Sequence, residues 1–249
     1  MTARSRKGTR QAAPLRRAYE LMRARFGHQH WWPGETAFEV CVGAILTQNT
    51  AWTNVGRAIA NLKAARVLEP GKLFALPESK LAELIRPAGY FNVKARRLRS
   101  FLRVLVEEFG GDLNRLFAGE TSTVRPRLLA IHGVGPETAD SLLLYAGGHH
   151  SFVVDAYTKR IFQRHGWGRK AEDRSRKSEI RNSKPDDYDA LKLFCESALN
   201  EKSESERLDY WQDYHAQLVM VGKHFCRTRA PRCEKCPLKP LLPLKTEAG

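Results

Sequence analysis

The stretch Leu129-Ala130-Ile131-His132-Gly133-Val134-Gly135-Pro136-Glu137-Thr138-Ala139 governs the reading of this chain. An apolar helical pattern runs into Gly-x-Gly, and a new helix opens at Pro136, a favoured first-turn residue because it needs no backbone donor there. Two glycines permit a tight turn and close approach of another molecule. The free N–H groups at the start of the second helix then suit phosphate oxygens. On its own the pattern also fits an ordinary helical hairpin.

Outward from this turn the periodicity is helical almost everywhere. Helices are expected from Pro14 to Gly27, from Phe38 to Leu46, from Asn54 to Leu62, from Leu73 to Ile85 and from Lys94 to Phe109. Further ones are expected over Arg125–Ile131, Pro136–Tyr145, from Asp155 onward, and over Tyr188–Leu199 and Tyr210–Phe225. Thr36 followed by Glu39 has the spacing of a capping box. Leu98, Phe101, Leu102, Leu105 and Phe109 form an apolar stripe. Strand alternation is nearly absent, so the fold is read as all-α. Residues 1–13 are read as a disordered basic arm, and the charged stretch 166–187 as a surface loop.

Of 249 residues, 42 are Lys or Arg and 27 Asp or Glu, a net charge of +15. Residues 1–25 hold eight basic side chains against Glu20, so +7 sits at the N-terminus and +8 on the rest. Such a chain favours a polyanionic partner through release of condensed counterions. The longest uncharged apolar run, Val40–Leu46, is far below the ~20 residues of a membrane helix. No secretory signal is visible. Five cysteines, an odd number, argue against a disulfide scaffold and for a reducing compartment. The expectation is a cytoplasmic protein.

Asp155 follows Phe152-Val153-Val154 and heads a helix, as either an N-cap or a partly buried reactive acid. Leu46-Thr47-Gln48-Asn49-Thr50 and Gly89-Tyr90-Phe91-Asn92-Val93-Lys94-Ala95 stand in order ahead of the hairpin, and Cys226-x6-Cys233-x2-Cys236 follows Asp155. Together these five segments resemble the helix-hairpin-helix (HhH-GPD) DNA glycosylases of the endonuclease III superfamily, over about residues 15–243.

The resemblance implies two helical domains flanking a DNA-binding cleft: a six-helix bundle over 36–149, and a second domain from 14–35 plus 150–243. It implies double-stranded DNA with a damaged base as partner, and a monomer. Asp155 is the implied catalytic acid. Gln48 matches the position that fills the gap left by a flipped base, and Gly133, Val134, Gly135 and Thr138 match the hairpin that holds the DNA backbone. Members that also cleave the strand carry a nucleophilic Lys two residues after the second Gly; here that residue is Glu137, so hydrolytic base removal alone is expected. Adenine-mismatch members carry a Glu four residues before the matching Gln, and here Ala44 stands there.

That leaves a base that departs easily, such as a cationic 3-alkyladenine or 7-alkylguanine. Trp31, Trp32 and Trp52, with Glu137, resemble the pocket of the 3-methyladenine glycosylase branch, and Trp faces attract a cation by ~0.5–2 kcal/mol. Two adjacent Trp on one turn cannot easily both point into a core. Rival readings are a glycosylase with lyase activity for oxidised pyrimidines, a mismatch thymine or uracil glycosylase, and a DNA-binding module without catalysis.

Cys226, Cys233 and Cys236 match three ligands of the superfamily's [4Fe–4S] loop, while the fourth position is Leu242. A cluster with an incomplete thiolate set, a zinc ion held with His224, and a metal-free loop all remain open from the sequence.

Overall fold

The computed structural model describes residues 3–168 and 188–243. Nearly all of the charged stretch 166–187 therefore lies outside the described residues. Among the described residues there is no strand, and no helix is long and apolar enough to cross a membrane. The chain divides into two compact units, residues 32–151 and residues 1–31 with 152–249.

The unit 32–151 is built on α2 (Ala37–Leu46), in which every residue from Phe38 to Leu46 is buried. Thr36 caps it: its hydroxyl accepts from the Glu39 N–H at 3.1 Å. The Glu39 carboxylate reaches back to the Glu35 N–H, one residue earlier than a capping box requires, and Lys63 bridges both carboxylates at 2.9 Å. Around α2 pack α3 (Trp52–Ala64), α6 (Phe91–Arg103) and α9 (Pro136–Tyr145). The short helices α4 (Pro70–Ala75), α5 (Glu78–Leu84), α7 (Leu113–Leu116) and α8 (Thr121–Leu129) complete the unit. The α6 stripe predicted from the sequence is the core side of that helix, with Leu98, Phe101, Leu102 and Leu105 fully buried. Each such side chain contributes ~1.5–3 kcal/mol by leaving water. Regular α-helix ends at Arg103, however, and a π-helical turn over Val104–Glu108 carries the chain on to Phe109.

One cation lies inside this core. Lys94 is 1% exposed, and its Nζ donates to the carbonyls of Leu46 and Ala88, both at 2.8 Å. It thereby ties the end of α2 to the 3₁₀ turn Arg86–Ala88. Burial, aided by the charge of Arg97, draws its pKa down to about 8.

The second unit holds α1 (Ala3–Phe26), α10 (Ala156–His165), α11 (Tyr188–Ala198) and α12 (Glu204–His224). The helix α1 starts at Ala3, so the disordered arm expected over 1–13 is replaced there by helix. Arg, Gln and Ala are strong helix formers, and the segment carries its helix past Pro14. Tyr214 of α12, fully buried, donates to the Leu15 carbonyl. Asp213, also fully buried, accepts from Tyr19 and from the Gln29 N–H at 2.7 and 2.8 Å, fixing α1 and the turn after it to α12. Gly222 lets α12 meet α10: a Cβ there would lie 2.1 Å from Tyr157.

Candidate functional site

The hairpin joins α8 to α9 within the unit 32–151. Gly133 has φ +87°, a left-handed backbone in which a side chain is strained. It also has no room for one, because a Cβ would lie 2.3 Å from Cγ of Arg97. Gly135 is the N-cap of α9, with an ordinary φ of −89°, and a Cβ added to it would meet nothing within 4 Å. Val134 is buried and anchors the turn, Thr138 is buried in the first turn of α9, and Glu137 beside it is exposed. The two helices are locked together by Arg125 of α8. Its Nε and Nη2 donate to the fully buried Asp140 carboxylate of α9 at 2.9 and 3.1 Å, and Ser151 donates to the same group at 2.6 Å.

Gln48 is drawn into this hairpin. Its Nε2 donates to the Gly133 carbonyl at 3.0 Å and to the Thr138 hydroxyl at 2.9 Å, and its Oε1 accepts from Arg97 Nη1 at 2.5 Å. The amide that the resemblance assigns to a gap in DNA thus braces the hairpin in the free protein. Arg97 carries no mark in the sequence, where it is one of four arginines within α6.

Trp32 and Trp52 belong to this same unit and meet edge to face, with ring centroids 5.2 Å apart; Tyr145 lies 5.2 Å from Trp32. Gly43 of the buried α2 makes the room, since a Cβ there would press on both indoles. Trp31 falls in the other unit, although adjacent in sequence, and Lys223 Nζ stands 5.8 Å from its ring centroid. Tyr90 is a further aromatic that sequence reasoning passed over. It is 73% exposed and heads α6 with φ +45°, a conformation costing a non-glycine residue about 1–2 kcal/mol. An exposed ring held out on such backbone is able to stack on a base.

Asp155 lies in the other unit, where it caps a helix from a buried position. It is the N-cap of α10, with Oδ1 accepting from the Thr158 N–H at 2.7 Å. It is also buried, at 9% exposure, and its Oδ2 faces Nε2 of His215 at 3.6 Å. Burial alone would raise its pKa; His215 and the Thr158 amide outweigh that and hold it below the usual carboxylate value. The group is therefore an anion at neutral pH, with one oxygen spent on structure and the other toward an imidazole. His215, buried on α12, is separated from Asp155 by 60 positions, and no local pattern marks it. Lys159, one turn into α10, has its Nζ 5.9 Å from the centroid of the Tyr188 ring.

Cys226, Cys233 and Cys236 line a common small pocket with Arg164, His165 and Leu242. Arg164 Nη1 donates to Cys226 Sγ at 3.0 Å. Leu242 places hydrocarbon where a fourth thiolate is needed, and no three Cys, His, Asp or Glu side chains form a metal-holding group among the described residues. The residues present do not make a four-thiolate cluster site. His224 is not in the pocket lining; its ring faces Phe26 and Phe225, so the zinc reading with His224 lacks its fourth ligand.

Residues 42–185 match the model of the HhH-GPD superfamily base excision DNA repair proteins. A Methanocaldococcus jannaschii protein, provisionally named a DNA repair glycosylase, is 46% identical over 222 residues, covering 89% of this chain and 92% of its own. The structure of H. pylori 3-methyladenine DNA glycosylase bound to 1,N6-ethenoadenine superposes with a TM-score of 0.67 at 28% identity, over 87% of this chain and 97% of that one. An endonuclease III–DNA complex superposes with a TM-score of 0.70 at 21% identity, over 93% and 94% of the two chains, a likeness of fold. With the hairpin in place and the match spanning most of the chain, the protein belongs to the HhH-GPD superfamily and is a DNA N-glycosylase of base excision repair.

Proposed function

We propose that this glycosylase is monofunctional and removes alkylated purines by hydrolysis, with Asp155 as the catalytic carboxylate. The observation that carries the reading is the first turn of α9, where Glu137 is exposed at the position of the strand-cleaving lysine. A carboxylate cannot form an imine with the sugar, so water is left as the nucleophile.

The target base must leave the stack before its glycosidic bond is reachable. As the bond breaks, positive charge develops on the sugar, and an anion held charged in a buried setting stabilises it. Asp155 is such an anion, and the same oxygen is suited to orient the attacking water or take its proton. His215, 3.6 Å from Oδ2, helps to keep the carboxylate charged. With Ala44 buried in α2 where an acid would protonate a neutral purine, the substrate must bring its own leaving-group activation. A 3- or 7-alkylpurine does so through its positive charge. The Trp32–Trp52–Tyr145 cluster supports this substrate class, since electron-rich ring faces attract a cationic base. The similarity to an H. pylori 3-methyladenine glycosylase supports it as well.

Borohydride trapping tests the hydrolytic mechanism. Wild-type protein incubated with damaged duplex and borohydride is expected to give no covalent DNA adduct, while an endonuclease III control does. A trapped wild-type adduct would mean that another amine replaces the missing lysine.

A further inference from the structure

We infer that Arg97 is a DNA-phosphate contact built into the hairpin, adding a fixed side-chain cation to the backbone N–H groups. The inference rests on reading the hairpin as the DNA-backbone clamp. Three features of Arg97 support it.

Its stem lies directly over the hairpin: Cβ, Cγ and Cδ of Arg97 occupy the space beside Gly133 where a side chain would otherwise be. Its head is oriented by a neutral partner, Gln48 Oε1, which is itself anchored to the Gly133 carbonyl and the Thr138 hydroxyl. And it has no counter-ion: among the described residues no carboxylate lies within ion-pair distance of the guanidinium, and the nearby charge that it perturbs is another cation, Lys94. Arg125, by contrast, is spent on Asp140.

One of five guanidinium N–H donors is used on Gln48. The others, on a half-buried side chain at the glycine turn, await an anion from outside the chain. An arginine fork held in one orientation loses little freedom when it meets phosphate oxygens. The ligand class is a phosphodiester of duplex DNA, taken without regard to base sequence.

The test is the salt dependence of DNA binding by the full chain. Arg97→Met keeps most of the stem over Gly133 and removes the charge. It is expected to weaken binding of an undamaged duplex about tenfold at moderate salt and to reduce the slope of log K against log salt by about one. The decrement should be the same for a damaged duplex. Arg96→Met, an exposed neighbour on α6, should change both quantities much less. A wild-type slope in Arg97→Met overturns the assignment. Should Met lower the Tm, Arg97→Gln, which keeps an N–H for Gln48, carries the same comparison. Gly135→Ala separates the two readings, because a methyl there meets nothing in the protein. If Gly135→Ala binds as tightly as wild type, the hairpin reading itself fails. If it binds weakly while Arg97→Met retains the wild-type slope, only the Arg97 assignment fails.

Discussion

Asp155→Asn is expected to lower the rate of base release by about 10²–10⁴-fold while leaving the fold and DNA affinity close to wild type. The size follows from losing the buried anion that the proposed mechanism sets against the developing positive charge. The selectivity follows from the second job of this residue. Asn caps a helix as well as Asp does, so the bond from the Thr158 N–H survives and α10 keeps its start. Asp155→Ala loses cap and charge together and should also cost about 1 kcal/mol of stability. Single-turnover excision assays read the first effect, and thermal melts the second. The pH dependence has a definite sign. A carboxylate depressed below its unfolded value of 3.8 adds stability in full above that value, and loses it as pH falls through the lower folded one. The stability difference between wild type and Asp155→Asn should therefore be constant at neutral pH and shrink only in strong acid. Retained excision in Asp155→Asn would remove this residue from the chemistry.

Arg125→Met should produce the largest loss of stability, about 3–5 kcal/mol, because it takes away the cation facing a carboxylate that is fully buried. Against a total of about 5–15 kcal/mol this is a large fraction, and the Tm should fall by roughly 10 °C. The bridge joins the two arms of the hairpin, so DNA binding should suffer at temperatures where the bulk of the chain is still folded. Removing the acid as well, in Arg125→Met with Asp140→Leu, should recover much of the loss, since two apolar groups leave no buried charge behind. A single variant with the wild-type Tm would show that the bridge contributes little.

Much of the helical core is legible in the sequence because it is periodic. The α6 stripe and the Thr36–Glu39 cap are local patterns, and both reappear as burial and hydrogen bonds. The hairpin is legible for the same reason, as Gly133 needs a left-handed backbone and Pro136 a first turn. Asp155 reads from the sequence as a cap or a partly buried acid, and in the structure one oxygen caps α10 while the other faces His215.

What stays hidden depends on residues far apart in the chain. His215 meets Asp155 only because α12 packs on α10. Arg97 reaches Gln48 across 49 positions, and Lys94 joins the carbonyls of Leu46 and Ala88. Nothing in a short local stretch encodes such meetings. Nor does the adjacency of Trp31 and Trp32 show that one ring meets Lys223 and the other Trp52. At the N-terminus, helix propensity outweighs the charge density that points to a disordered arm.

Hydrolytic removal of a cationic alkylpurine is read most directly by product analysis on a methylated duplex. Released bases are separated by chromatography, and the strand is run on a denaturing gel before and after alkali. Such hydrolysis should give free 3-methyladenine or 7-methylguanine, a strand that is intact until alkali cleaves it at the abasic site, and loss of both signals in Asp155→Asn. Strand breaks before alkali, or no methylated base released by a folded protein that binds the duplex, would contradict it.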